Sequence, residues 1–505
     1  MFSRSVRRAI VPLLQDGNRA IATAIPAAQA VPAVSPTGSS GGFLSSIFGG
    51  SSRLAVPMTE PLPGVVEPPV VPVPSGPPKT EQTTLANGFR VASEPSMGPT
   101  ACAAILVSSG SVYETREVSG ISHVLEQMAF KETHNRTHFR IMQEITGYGA
   151  NIIASASREQ MYYSIDCLRS DLPAAIEVLS DCVLNPKFNP WDVSETLQGM
   201  RQDIENLKKN PQGLLGETLT NASYTGGLSN PLICPESSLD TLTQDHLLEF
   251  HSENFTAPRM ALSVAGAEHQ DVLRWAEPML KEAERDTKLI TPPSTYVGGE
   301  VRMPGADELT HVILGFDSPG GWKNVKSAAT MTVLLYMMGG GGSFSAGGPG
   351  KGMHSRLYLN VLTKHHWVQN FSAINQAFDD RCLAGVYGAA PASMAGQLVD
   401  IMCNEMTELA KSVNDEELQR AKSASIGQIL MTLENKAVAA EDIGRQVLTY
   451  GHRKPASDFI AEIKKVSAKD LTGMVSEMLK SPASMASMGD LSKVPRYSDV
   501  ARRFG

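Results

Sequence analysis

Residues 119–133 read SGISHVLEQMAFKET and divide into two faces of one predicted helix. Apolar residues recur at i, i+3, i+4 and i+7, which predicts a buried stripe of Ile121, Val124, Leu125 and Met128. His123, Glu126 and Gln127 lie together on the other face. A histidine and a second ligand one turn apart can hold a metal ion, with the glutamate as general base for a bound water. Gln127 is a poor zinc ligand, so this set is incomplete.

The run G-x-S-H-x-x-E-x-M-A-F-K in this stretch resembles the pitrilysin-type metallopeptidases, and among them the mitochondrial processing peptidases. The resemblance covers nearly all of the chain after its first 80 residues. It implies a third zinc ligand 76 residues after Gln127, where this chain has Asp203, and a supporting glutamate seven residues earlier, where it has Thr196. The family pattern is therefore retained at His123, Glu126 and Asp203 and lost at two other positions.

We interpret His123, Glu126, Gln127 and Asp203 as a degenerate remnant, with no catalytic residue, no metal and no cofactor in this chain. Two remaining protein ligands do not offset the dehydration of a zinc ion, and glutamine adds no charge. The alternative is a working site, which would make the chain an autonomous zinc endopeptidase. In a variant of that alternative the missing ligand is replaced by a nearby histidine. The candidates lie beyond the predicted helix end, at a spacing foreign to the family: His134 and His138.

The sequence around this helix predicts strands and helices that recur in one order. Asn87-Gly88 predicts the turn of a hairpin, and Asn189-Pro190 predicts the start of a helix that runs to about Asn210. Four segments of the second half repeat segments of the first in the same order, which predicts two homologous domains. The matched pairs are 103–113 with 310–320, 151–168 with 367–390, 171–184 with 393–409, and 188–206 with 413–431. We expect an α+β fold of two pitrilysin-type domains, each a mainly antiparallel sheet covered by helices.

Four regions follow from this pattern. Residues 1–30 are rich in arginine and poor in acids, as is typical of a mitochondrial transit peptide; a disordered basic tail is the alternative. Residues 31–80 form a Ser/Gly/Pro-rich linker that cannot bury a core. Residues 81–290 are the predicted first domain with the degenerate zinc motif, and residues 300–505 the second domain.

The second domain contains the run GGGGSFSAGGPGKG at residues 339–352. It is not a phosphate-binding P-loop, because Gly350-Lys351 is followed by Gly352 and not by serine or threonine. Glycine is costly to order. A run this dense in glycine therefore serves either to move or to let another backbone approach closely. Alpha subunits of the processing peptidases carry a glycine-rich loop at this place, which implies substrate binding here; a passive linker is the alternative. The assigned residues are Gly339, Gly340, Gly341, Gly342, Ser343, Phe344, Gly347, Gly348, Gly350, Lys351 and Gly352.

Charge and cysteine content exclude some classes of function. Residues 1–56 carry a net charge of +4, which leaves −12 on the rest of a chain whose total is −8. An acidic body disfavours nucleic-acid binding and suits basic ligands. The six cysteines are scattered without a C-x-x-C pair, which favours reduced thiols and speaks against a cysteine zinc site.

The leading hypothesis is a non-catalytic subunit that recognises presequences, the basic amphipathic leaders of imported precursor proteins. The resemblance implies a heterodimer in the mitochondrial matrix, in which a beta subunit holds the zinc and cleaves. The alternative is a structural core protein of the cytochrome bc1 complex, bound to other bc1 subunits at the matrix face of the inner membrane. The two roles can be combined in one chain.

Overall fold

The computed structural model describes residues 79–285, 292–305, 307–342 and 353–504. The predicted transit peptide, nearly all of the predicted linker, and residues 343–352 of the glycine-rich segment lie outside the described residues. None of the helices in the described ranges is long and apolar enough to cross a membrane.

The first half builds a six-stranded sheet. Its strands are β1 (Glu81–Thr84), β2 (Arg90–Glu94), β3 (Thr100–Val107), β4 (Asn151–Ala156), β5 (Met161–Leu168) and β7 (Met260–Ala265). The order across the sheet is β1-β2-β7-β3-β5-β4, and only β2 and β7 pair in parallel. The hairpin of β1 and β2 confirms the turn predicted at Asn87-Gly88.

The second half builds a matching sheet. Its strands are β9 (Gly299–Pro304), β10 (Leu309–Pro319), β11 (Gly340–Gly342), β12 (Asn370–Ala377), β13 (Arg381–Pro391) and β14 (Ser484–Gly489). The order is β11-β12-β13-β10-β14-β9, again with one parallel pair, β14 with β9. A two-stranded ribbon pairs β6 (Tyr224–Gly226) of the first half with β8 (Ser294–Tyr296), which precedes β9 in sequence. The prediction of two homologous, mainly antiparallel α+β domains is confirmed.

Helices cover both sheets. Those of the first half are α1 (Ile121–Gln127), α2 (His138–Gly147), α3 (Leu172–Leu184), α4 (Pro190–Leu207), α5 (Pro211–Ser223), α6 (Gln244–Asn254) and α7 (His269–Leu280). Those of the second half are α8 (Val325–Met338), α9 (Ala395–Lys411), α10 (Asp415–Leu433), α11 (Lys436–Tyr450), α12 (Ala456–Lys465), α13 (Ala468–Met478) and α14 (Tyr497–Ala501).

Helix α4 begins where the sequence predicts and ends earlier. Pro190 is its first residue and Asn189 its N-cap. The Asn189 side chain does not cap a backbone N–H; its Nδ2 donates to Asp192 Oδ2 at 3.1 Å. The helix ends at Leu207, and a new helix, α5, starts at Pro211, because proline lacks the N–H that would continue α4.

Each half contributes one helix to the sheet of the other. Helix α11 packs on β2, β3 and β7 of the first sheet, where Ala440 contacts the Leu106 cluster. A Cβ on Gly444 of α11 would lie 2.2 Å from Leu106 Cδ1 and 2.9 Å from Ser263 Oγ, so a larger residue here would require these side chains to move. Helix α5 packs reciprocally on β9, β10 and β14, through Leu215 and Leu219. This exchange joins the two halves through buried apolar surface.

Candidate functional site

Helix α1 carries the degenerate metal motif and is held at its start by a buried acid. The carboxylate of Glu114 accepts the backbone N–H groups of Gly120 at 2.6 Å and Ser122 at 2.9 Å. These are donors that a helix start leaves free. Burial raises the pKa of Glu114 to about 7, although the two hydrogen bonds lower it. Sequence reasoning missed Glu114, because nothing in its spacing from α1 marks it as a capping residue.

His123 is half-buried, and the Nδ1 atom of its ring takes part in a hydrogen bond. This atom accepts the backbone N–H of Cys234 at 3.2 Å. Burial lowers the pKa of His123, against the opposing effect of Asp203 and Glu217, so the ring is neutral at neutral pH. A neutral imidazole whose Nδ1 accepts a hydrogen bond carries its proton on Nε2. A histidine that binds metal through Nε2 needs the proton on Nδ1 instead. His123 therefore carries its proton on Nε2, where it can donate a hydrogen bond.

The other residues of the degenerate motif have different surroundings. Glu126 accepts the backbone N–H of Ala156 at 2.7 Å, at the end of strand β4, and burial raises its pKa. Gln127 and Asp203 are exposed. Thr196, at the position of the family's supporting carboxylate, lies with Oγ1 3.1 Å from Met128 Sδ on the apolar stripe of α1.

These residues do not fit a zinc ion. Within the part of the chain that the structure describes, no group of three or more His, Cys, Asp and Glu side chains is placed to hold a metal. His134 and His138 are exposed, and Nδ1 of His138 donates to the carbonyl of Phe130 at 3.0 Å.

The first glycines of the glycine-rich segment form ordered structure. Gly339 caps helix α8 with a φ of 59°, and Gly340–Gly342 form β11, the edge strand of the second sheet. The register of β11 against β12 places Gly340 opposite Ser372, with Gly341 and Gly342 following. The remaining assigned residues lie outside the described residues: Ser343, Phe344, Gly347, Gly348, Gly350, Lys351 and Gly352.

An acidic recess lies where the two halves meet. It has a volume of about 470 Å³ and is open between strand β4 and helix α11. Its charged lining residues are Glu159, Asp379, Glu441 and Arg445. The carboxylate of Glu159 accepts the backbone N–H of Asp379 at 2.9 Å, which joins the β4–β5 turn to the β12–β13 turn. Sequence reasoning missed this contact, because it joins turns that are 220 residues apart.

Comparisons with known proteins agree with this architecture. Residues 90–236 match the model of the insulinase family, peptidase family M16, and residues 241–425 match the model of the peptidase M16 inactive domain. The mitochondrial-processing peptidase subunit alpha of Solanum tuberosum is 45% identical over 92% of this chain and 93% of its own length. Those of Bos taurus and Homo sapiens are each 32% identical over 88% of this chain and 89% of their own length. The chain therefore belongs to peptidase family M16, and within it to the family of mitochondrial-processing peptidase alpha subunits.

Proposed function

We propose that this chain is the non-catalytic, substrate-recognising subunit of a mitochondrial processing peptidase. The observation that carries the proposal is the state of helix α1. Gln127 is exposed where the family has its second histidine, and Nδ1 of His123 accepts the Cys234 N–H. A zinc-bound water, the nucleophile of this family, then has to come from another chain.

The partner in this proposal is a beta subunit that holds the zinc and cuts the precursor. The relatives are named as subunits of a mitochondrial-processing peptidase, which supports both a heteromeric enzyme and a mitochondrial location for this chain. The finer assignment to the matrix follows from the substrate, because presequences enter that compartment with the imported precursor.

The substrate in this proposal is a basic presequence, bound by the glycine-rich segment 339–352 and by acidic surface. Glycines leave the backbone open to an extended peptide, so one segment can admit many side-chain sequences. The recess between the halves presents the carboxylates of Asp379 and Glu441 beside one guanidinium, that of Arg445. Its walls include the apolar side chains of Leu106 and Ile153. A basic amphipathic peptide matches both kinds of surface.

The decisive experiment measures presequence cleavage by this chain, by a catalytic beta subunit and by the mixture, with the zinc content of each. We expect cleavage only in the mixture and zinc only in the beta subunit. Chelator-sensitive cleavage by the isolated chain would contradict the proposal and favour an autonomous zinc endopeptidase.

A second experiment tests the glycine-rich segment. Deleting residues 343–352 leaves β11 and Ser355 in place, and we expect the KM of the mixture for a presequence peptide to rise at least tenfold. Thermal unfolding and co-purification with the beta subunit provide the control for folding and assembly.

If the full-length chain adds nothing to the activity of the beta subunit alone, the chain is instead a structural core protein. Co-migration with bc1 subunits on a native gel would identify that role.

A further inference from the structure

The second half contains a largely apolar pocket of about 360 Å³ between helices α8, α10, α11 and α12. Helices α8 and α10 pack against each other and supply two of its walls. Most of the lining is aromatic or aliphatic, including Trp322, Tyr336, Ile429, Leu433, Tyr450 and Phe459. A concave apolar surface of this size, with a few polar groups at its edge, is typical of a binding site.

The pocket lies where the first half carries its degenerate metal motif. Helices α1 and α8 each lie between corresponding strands, β3 and β4 in the first half and β10 and β12 in the second. Helices α4 and α10 are each the second α-helix after the corresponding strands β5 and β13. The pairing of residues 188–206 with 413–431 aligns Asp203 of α4 with Gln428 of α10, and Gln428 lines the pocket.

The residues at the place of the metal motif are neutral in the second half. Thr332 and Tyr336 of α8 line the pocket and are four residues apart, the spacing of His123 and Gln127 on α1. Burial raises the pKa of Tyr336, so its phenol keeps the proton at neutral pH. A threonine, a tyrosine and a glutamine provide no charge against a cation, and this part of the pocket therefore favours a neutral group.

The charged residues at the pocket balance one another. Two acids and two bases line it: Asp442, Asp458, Arg445 and Lys454. The Lys454 ammonium lies 3.7 Å from the centroid of the Tyr450 ring, so an aromatic face already satisfies part of its charge. With no net charge in the lining, release of water from apolar surface is the main driving force that the pocket offers a ligand.

The pocket adjoins the acidic recess between the halves. Trp322, Val438 and Arg445 line both cavities. The guanidinium carbon of Arg445 lies 5.3 Å from the centroid of the Trp322 ring, and its Nη2 lies 3.5 Å from Glu441 Oε1. These side chains form a shared wall between an acidic cavity and an apolar one. A peptide that places a basic residue in the recess can therefore reach the pocket with a neighbouring apolar side chain.

We propose that this pocket is a specificity site for the presequence, which takes one aliphatic or aromatic side chain while a basic residue of the same peptide lies against Asp379 and Glu441. This rests on the proposed function of the chain as the recognition subunit. The pocket lets the chain recognise the apolar residues of an amphipathic peptide as well as its charge.

The test compares two variants of this chain in the assembled heterodimer. Tyr336→Ser removes an aromatic side chain that lines the pocket and is 39% exposed. Leu430→Ser is the matched control, because Leu430 of α10 is also apolar and 50% exposed but is not among the described residues that line the pocket. Thermal unfolding and co-purification with the beta subunit check folding and assembly.

We expect Tyr336→Ser to raise the KM for a presequence peptide about three- to tenfold with kcat unchanged, because it removes apolar contact made equally by bound substrate and transition state. Leu430→Ser should leave both constants within twofold.

A set of peptides, each with one apolar residue replaced by serine, identifies the side chain that enters the pocket. At one peptide position we expect the replacement to raise KM for the unmodified heterodimer and to add little in the Tyr336→Ser variant, because both changes remove the same contact. With Leu430→Ser the same replacement should keep its full effect.

Equal KM values for the two variants, or independent effects at every peptide position, would overturn the role of the pocket. The proposed function has a separate outcome. If the unmodified heterodimer cleaved no better than the beta subunit alone, the recognition role itself would fail. If it cleaved better and Tyr336→Ser left KM unchanged, only the pocket would lose its role.

Discussion

The two halves of the molecule differ in the connection that leads from helix α1 to β4 in the first and from helix α8 to β12 in the second. In the first half, the chain from α1 to β4 passes through helix α2 and is held by Arg136. Its guanidinium contacts Glu177, and it lies 3.1 Å from both Glu144 and Asp181. In the second half, the chain from α8 to β12 passes through the glycine-rich segment. One repeat thus fixes this connection with charged side chains, and the other contains a run dense in glycine at the same place in the chain.

The sheets show where the difference was added. Strands β2, β7, β3, β5 and β4 correspond in order and direction to β9, β14, β10, β13 and β12. Strand β1 is extra in the first sheet, and the all-glycine strand β11 is extra in the second, at the opposite edge. A duplicated fold therefore tolerates a new element at a sheet edge, where pairing needs only one neighbour and the other side remains accessible.

Breaking the charged connection of the first half should have the largest effect. Arg136→Ala leaves the buried Asp181 without its cation, and we expect a loss of about 3–5 kcal/mol in the free energy of unfolding. Urea denaturation of the purified chain measures it. Arg140→Ala is the control, because Arg140 is 62% exposed and, among the described residues, forms an ion pair with Glu144 alone. We expect a change of at most about 0.5 kcal/mol. Similar losses for both variants would mean that the Arg136 contacts do not stabilise the connection.

A substitution at Gly340, near the start of the glycine-rich segment, should lower the free energy of unfolding by less. Gly340→Ala forces a Cβ against the Phe371 carbonyl at a φ of 99°, and we expect a loss of about 1–3 kcal/mol. Gly342→Ala is the matched substitution two residues later, where the nearest atom of the described residues would lie 4.0 Å from a new Cβ. It should be nearly neutral in the same denaturation assay. Equal losses for the two variants would mean that the close packing around Gly340 does not restrict the residue at that position.

The junction between the halves should make stability depend on pH. Burial and the carboxylates of Asp379 and Asp380 raise the pKa of Glu159 from 4.5 to about 8, while the hydrogen bond from the Asp379 N–H and the charge of Lys323 oppose the rise. The folded state then binds more protons than the unfolded state between these values, so stability falls as pH rises through this window and levels off above it.

Glu159→Gln removes this titration and should flatten the profile. The decline attributable to Glu159 is at most about 1.4 kcal/mol per pH unit. Denaturation midpoints at pH 5, 6, 7, 8 and 9 measure the slope in both proteins. An unchanged slope in the variant would show that Glu159 titrates at its ordinary value and that the contact with Asp379 is not charge-sensitive.

Restoring the second histidine of the motif should have the smallest effect. We expect Gln127→His to bind no stoichiometric zinc, because Nε2 of His123 carries the proton while its Nδ1 accepts the Cys234 N–H. Metal analysis after dialysis against zinc measures the content. One zinc per chain in the variant would mean that the His123 ring turns or changes tautomer readily, and that the remnant is closer to a working site.

Much of the fold and part of the site could be predicted from local sequence rules. Asn87-Gly88 predicts its hairpin because only a few residue types allow that turn, and Asn189-Pro190 predicts the start of α4 for a similar reason. The end of α4 at Leu207 was missed by about three residues, since helix ends depend on the packing that follows. The strand formed by Gly340–Gly342 was also missed, because glycine has low strand propensity and pairs here only through its neighbour β12.

The sequence by itself determined the duplicated α+β plan, the missing metal ligand at Gln127 and the position of the glycine-rich segment, because these depend on residue type and short-range spacing. Only the tertiary structure decided which sheet each exchanged helix covers, α11 on the first and α5 on the second. It also decided the partners of His123, Glu159 and Arg445. Periodicity reveals that a helix has an apolar face or that a side chain is polar. The surface or donor that meets it comes from chain segments far away in sequence, and it is selected by the packing of the whole molecule.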